Sequence, residues 1–291
     1  VEMGYCNVAI VSYGSNQRSA KTRKIGGVIE DHTPQKYFEY SQGILSPLSL
    51  YALVAQRAFH EWDVNSEDLA EIAVSARKYS LLNEKAFNYG KNELTVDDVL
   101  NSGIISSPLH KLDCCLVTDG GGAVLITNDK IAKSLGLPKI KVKGFGQLDT
   151  HISYSQMPNY LITGAEQSSK NALSQSKMLL DDIDIFQVYD SFTITVLSTL
   201  ASIGMDQPKN IIEKFKTGHY SLNGQQPINT SGGGLSYCHP GMLGLLLVIE
   251  AVKQLSGELD NRQVENASTA LVHGTGGVFS THATMILERI G

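Results

Sequence analysis

Two glycine-rich segments constrain this chain more than any other feature. "LVTDGGGAVLIT" (116–127) and "LVHGTGGVFSTHATMIL" (271–287) share one plan of apolar run, glycines and second apolar run. Each follows helix-like and strand-like stretches. The repetition predicts a duplicated α/β unit, with each half closing on a glycine-bent strand pair. The halves are expected to meet near "SLGLPKI" (134–140), where Pro138 interrupts the pattern and a strand begins over 140–145. Residues 1–137 and 138–291 are read as the two units.

Between these landmarks the apolar spacing predicts further elements. Residues 8–12 read as a strand, after an opening "VEMGYC" that resembles the end of a helix without its N-cap. Residues 49–62 read as a helix, with Leu50, Leu53, Val54, Ala58 and Phe59 on one face. Ser66 is expected to N-cap a short helix carrying Leu69, and residues 72–76 to form a buried strand. "LDCCLVTDGGGAVLIT" (112–127) is expected to run strand, turn, strand. "SSKNALSQSKML" reads as a helix and "DIDIFQVYDSF" as a strand with a polar tip. Residues 242–255 are apolar nearly all round and should form a buried helix.

Composition excludes several classes of function. The formal net charge is -5 and no long basic run is present, which argues against nucleic acid and anionic membrane surfaces as partners. The four cysteines, Cys6, Cys114, Cys115 and Cys238, lack the paired spacing of a zinc site, so no metal is expected. Adjacent Cys114 and Cys115 read as packed thiols in a reducing, cytoplasmic setting. No run approaches eighteen apolar residues, and no signal peptide precedes the first strand.

Three short stretches carry a resemblance: "VYDSFT" (188–193), "GGGLSYCHPGMLG" (232–244) and "VHGTGGVFSTHA" (272–283). In this order they resemble the catalytic loops in the C-terminal half of thiolases, above all the sterol-carrier-type branch and its lipid-transfer-protein relatives. "AVSARKYSLLN" (73–83) and 112–127 extend the likeness over nearly the whole chain. The resemblance implies an α/β fold of two similar βαβαβαββ halves in an α/β/α/β/α stack. The first half would be incomplete here, carry a loop insertion, and lack the part that bears a thiolase's nucleophilic cysteine.

The loops then read as chemistry. His239 precedes Pro240 at the expected mouth of a buried helix, where the helix dipole favours a neutral imidazole able to donate to an oxyanion. The resemblance gives the matching histidine that role; capping the helix is the plain alternative. Gly232, Gly233 and Gly234 allow close approach or a tight turn. Gly274, Gly276 and Gly277 match a loop that lies beside the thioester. Tyr189 stands where the family usually has asparagine or histidine, and it and Tyr237, two residues before His239, are expected to face one pocket as proton carriers. Asp190 and Ser191 complete the first loop, with Asp190 expected to hold it and Phe192 to pack. His273 stands near the place of a second thiolase cysteine and is either a base or structural. Cys238 replaces a glycine and is not expected to be a nucleophile.

That set suits retro-aldol cleavage of a β-hydroxyacyl-CoA better than acyl transfer, which needs a cysteine nucleophile. Two other readings stay open: a thiolase whose cysteine lies upstream of Val1, and a non-catalytic acyl-CoA-binding subunit. The resemblance implies no cofactor beyond the coenzyme A of the substrate. It also implies a homodimer and an acyl-CoA-binding partner protein with an OB-fold and a zinc ribbon. "HISYSQMPNY" (151–160) lies on the family's substrate side without a diagnostic pattern.

Overall fold

The computed structural model describes residues 1–22, 33–136 and 139–290. In chain order its elements are β1 (Val8–Ser15), α1 (Pro47–Glu61), α2 (Ser66–Leu81), α3 (Val96–Leu100), β2 (Ile104–Ser106), β3 (Leu109–His110), β4 (Gly120–Thr127) and α4 (Asp129–Leu135). There follow β5 (Lys139–Asp149), α5 (Ala165–Ser176), β6 (Ile185–Val188), α6 (Thr193–Ile203), α7 (Pro208–Lys216), α8 (Gly244–Ser256), β7 (Thr269–Gly276) and β8 (Thr281–Ile290).

Residues 139–290 build a four-stranded sheet in the order β5-β8-β7-β6, with β6 parallel to β7 and the other pairs antiparallel. The inner strands explain their own sequences. β6 is buried at every residue and β7 at nearly every one, so neither shows an apolar-in, polar-out alternation. The outer strand β5 alternates. Helix α5 covers one face of this sheet; α8 covers the other and also touches β4, so it lies between the two sheets. β1 and β4 form a separate antiparallel pair, Val8 opposite Thr127 and Ser15 opposite Gly120. β7 and β8 are joined directly, whereas the chain between β1 and β4 makes the long excursion that carries α1 to α3.

Several expectations need correction. Residues 72–76 are not a strand: α2 runs unbroken from Ser66 to Leu81. Its N-cap is Asn65, whose side chain accepts from the Asp68 N–H in a reciprocal capping box. Leu69, Ile72, Ala73 and Ala76 are buried at helical spacing. The short cluster "IAVSA" fits either period, and the cap decides it. The opening residues form a turn, not a helix end. The glycine segment at 116–127 is not a hairpin. Its glycines lie inside β4, whose partner is the distant β1, and 114–117 carries no ladder. Pro138 falls outside the described residues.

The contact between α5 and β5 depends on two glycines. A Cβ on Gly144 would run into the Ala172 carbonyl oxygen, and one on Gly146 into that of Ser168. The obstacle is helix backbone, which has no rotamer to yield. Gly146→Ala is therefore expected to destabilise the fold by about 1–3 kcal/mol. A thermal melt with an unshifted midpoint would refute this close packing.

Candidate active site

An extended segment organises the site. From Cys114 to Thr118 the backbone pairs with the loops after β6 and before α8 instead of a strand. Cys115 N–H donates to Ser191 O at 2.9 Å, Leu116 N–H to Gly234 O at 2.9 Å and Thr118 N–H to His239 O at 3.3 Å. The first loop, 189–192, leaves the end of β6. The second, 231–243, leads into α8. The third begins at the end of β7.

Tyr189 and His239 meet. The Tyr189 hydroxyl lies 3.0 Å from His239 Nε2, with the two rings edge to face at 88°. Both line a cavity of about 1200 Å³. His239 is held from several sides. Its N–H donates to Thr118 Oγ1 at 3.0 Å, and its carbonyl accepts from Gln17 Nε2 at 3.2 Å. Tyr13, on β1, donates to the Pro240 carbonyl at 2.6 Å. α8 begins at Gly244, after Pro240 to Leu243, so His239 does not cap it. The helix dipole fades within a turn, and the placement of His239 rests on these hydrogen bonds instead. Burial pushes the Tyr189 phenol well above its ordinary range, so it is a protonated donor at neutral pH.

Asp190 holds the loops together. It is fully buried, and its carboxylate accepts from the Gly234 N–H at 2.7 Å and the Leu235 N–H at 3.1 Å. Burial raises it to about 7 against the pull of those two donors. Gly233 has φ +59° and would drive a Cβ into that carboxylate. The glycines 232–234 thus serve packing, and none of the three lines the cavity.

The remaining predicted residues divide. Ser191, Gly274, Gly276 and Gly277 line the cavity with Tyr189 and His239. Ser191 Oγ lies 3.0 Å from Thr195 Oγ1. Tyr237 does not join them. It packs, partly buried, in the cluster around α8, near the Glu250–Arg262 ion pair, and lines no part of the cavity. Two other phenols line the cavity, Tyr13 from β1 and Tyr51 from α1, and the sequence reading named neither. Tyr51 faces the third loop. It donates to Gly277 O at 3.3 Å and stacks near Phe192 and Phe279, at 4.6 and 5.0 Å between ring centroids. Burial raises its phenol to about 12. Nothing in the helical run "LYALVAQ" marks it out. Cys114 and Cys115 are half-buried on the cavity wall, whereas the Cys238 Sγ turns to Thr118 Oγ1 at 3.2 Å. Burial raises the Cys238 thiol, which removes thiolate character. Among the described residues no group of three His, Cys, Asp or Glu side chains is placed to hold a metal.

His273 is fully buried behind the third loop. Its Nδ1 lies 2.9 Å from Thr284 Oγ1, and its Nε2 3.4 Å from His282 Nδ1; His282 Nε2 in turn meets the Phe279 carbonyl at 2.9 Å. Burial lowers His273 to about 3 and His282 to about 4, from 6.5. Below pH about 6.5 the unfolded chain takes up protons that the folded one refuses. Stability is therefore expected to fall as pH drops from about 6.5 through 4 toward 3, by up to about 1.4 kcal/mol per pH unit for each ring. Urea titrations at pH 7 and 4.5 check this, and replacing both histidines by glutamine should flatten the slope. A second expectation concerns Gly274. A Cβ there would meet nothing within 4 Å, because the position faces the cavity. Gly274→Ala should hold its stability within about 0.5 kcal/mol yet lose turnover. An equal loss of melting temperature would make Gly274 a packing residue.

Comparison with known proteins agrees with this geometry. The thiolase C-terminal domain-like family matches residues 146–289. An acetyl-CoA acetyltransferase of Methanothermobacter thermautotrophicus is 31% identical over 87% of this chain and 66% of its own length. A steroid side-chain-cleaving aldolase of Thermomonospora curvata is 32% identical over 80% of this chain and 60% of its own. The chain thus spans less than two thirds of either relative. Among solved structures, the Ltp2-ChsH2(DUF35) aldolase superposes with a TM-score of 0.87 at 26% identity, over 99% of this chain and 74% of that one. The chain belongs to the thiolase superfamily, is similar to both its acetyltransferase and its steroid side-chain aldolase members, and has a thiolase-like fold.

Proposed function

We propose that this protein cleaves the Cα–Cβ bond of a β-hydroxyacyl-CoA by a retro-aldol reaction. The observation that carries the reading is the Tyr189–His239 contact of 3.0 Å in the wall of a large cavity. A raised phenol is a poor base alone, but next to an imidazole nitrogen it need never become a free phenolate. Tyr189 accepts the β-hydroxyl proton as its own proton passes to His239 Nε2. The Cα–Cβ bond breaks, the β-carbon leaves as a ketone or aldehyde, and the electron pair settles in the thioester enolate. The enolate oxygen lies against the glycine edge 274–277, where backbone dipoles oppose its charge. The proton then returns through the pair to Cα, giving the shortened acyl-CoA.

The cavity walls are largely apolar, with Leu48, Leu112, Leu116 and Leu245 among them. They suit a bulky lipid or steroid acyl group. The reading calls for no cofactor beyond the coenzyme A of the substrate. It includes the homodimer that the family resemblance implies, and a partner subunit, because the structurally similar Ltp2 aldolase is joined to ChsH2(DUF35); an OB-fold and zinc-ribbon acyl-CoA-binding protein fits that place. No helix among the described residues is long and apolar enough to cross a membrane, and a cytoplasmic location accords with that.

Thiolytic acyl transfer is the second reading, favoured by the 31% identity to an acetyltransferase. The two differ in what they consume. Retro-aldol cleavage releases a carbonyl compound with no added coenzyme A, whereas thiolysis needs it. Tyr189→Phe is expected to lower kcat/KM for carbonyl release by ~10²–10⁴. An undiminished rate would take Tyr189 out of the chemistry, and acyl-CoA formation that depends on added coenzyme A would select the thiolase reading.

A further inference from the structure

The turn after β7 is held from outside by four consecutive carbonyl oxygens. Gly277 O accepts from the Tyr51 hydroxyl at 3.3 Å, Val278 O from His151 Nε2 at 3.0 Å, Phe279 O from His282 Nε2 at 2.9 Å and Ser280 O from the Thr150 N–H at 2.8 Å. The turn needs such help. Gly277 and Phe279 both have a positive φ, +60° and +55°, and for a bulky ring that region is costly. Its own backbone closes it with the bond from Ser280 N–H to Gly276 O at 3.1 Å. Of the four donor residues Tyr51 alone lines the cavity, whose wall includes Gly274 to Gly277 before the turn and Thr281 and Ala283 after it. His282 stands between the last two on the opposite, buried face of β8.

The protons of the imidazoles follow from their partners. A carbonyl only accepts, so Nε2 of His151 and of His282 carries the hydrogen, and in a neutral ring Nδ1 is then an acceptor. For His151 the donor is the Thr150 hydroxyl at 2.8 Å. For His282 it is His273 Nε2 at 3.4 Å, which leaves His273 Nδ1 to accept from Thr284 Oγ1 at 2.9 Å; Thr284 Oγ1 in turn lies 2.9 Å from Ser168 Oγ. Burial pulls all three rings below the ordinary histidine range, so they are neutral at pH 7. Two lines of hydrogen bonds thus run one way, each ending on a carbonyl of the turn. We propose that His151 and His282 are positioning residues for the reaction, which fix the peptide planes at Val278 and Phe279 and through them the glycine edge 274–277. A peptide group is planar and rigid, so a held oxygen also holds the N–H of the next residue. The inference rests on the reading above for what the edge does, which is to stabilise the enolate oxygen. It gives a task to the buried pair His273 and His282 and to the segment 150–151, none of which takes part in the proton transfers.

His151 is the better place to test this, because it is half-buried whereas His282 is fully buried. In His151→Ala, hydrogen exchange of the amides across 276–281 is expected to quicken by about tenfold or more. The kcat for whichever cleavage the protein catalyses should fall by about 10–100-fold, with KM little changed. His151→Gln, whose side-chain N–H can stand in for Nε2–H, should restore most of both; His151→Asn, whose amide reaches only as far as Nδ1, should not. Glutamine and asparagine differ by one methylene, so their contrast decides the matter even where the alanine variant unfolds. Exchange is read without substrate and is therefore separable from the chemistry. Unchanged exchange in His151→Ala would overturn the grip whatever the reaction, and quickened exchange with unchanged kcat would overturn its positioning role. Equal impairment of the glutamine and asparagine variants would do the same. A wild type that releases no carbonyl compound, with exchange quickened in the alanine variant, would count against the aldol reading and support the grip.

Discussion

Everything chemical in this structure depends on a few backbone hydrogen bonds from one extended segment. Residues 114–118 hold Ser191, Gly234 and His239 in one arrangement, through the N–H groups of Cys115, Leu116 and Thr118. The loops after β6 and before α8 have no strand of their own to fix them. Buried backbone groups must be paired, and here the pairing itself sets the distance between a phenol and an imidazole. Asp190 adds a second tie between the same loops, at the cost of burying a carboxyl group.

The division of labour follows from the topology. The four-stranded sheet supplies rigid strand ends, with β6 and β7 side by side and their loops opening on one cavity. The excursion between β1 and β4 supplies the walls: Tyr51, Phe87 and Leu112 come from it. Even β1 takes part, since Tyr13 fixes the carbonyl beside His239. The chemistry is thus borne by one part of the chain and its surroundings by another.

The sequence made the second glycine-bent strand pair, the buried central strands and the three loops legible, because each has a strong local signature. What it hid is long-range. "IAVSA" has no period of its own, and only the Asn65–Asp68 cap shows it to be helix. "LDCCLV" looks like a strand because extended backbone and an apolar run look alike, yet its partners are loops. The Tyr189–His239 pair could be named from motifs, whereas Tyr51 belongs to an unremarkable helical face that reaches the cavity only after folding. Tyr237, two residues from His239, turns the other way into the cluster around α8. Neighbours in sequence can point to opposite sides of a loop.

The Thr118–His239 contact spans more than a hundred residues of chain, and so does the bond from Tyr13 to Pro240. Loops closed over such separations form late, after the entropy of long closures has been overcome. The Tyr189–His239 pair therefore reports on the whole assembly: a species with both sheets formed but these distant clasps open would keep its helical signal and lose that contact.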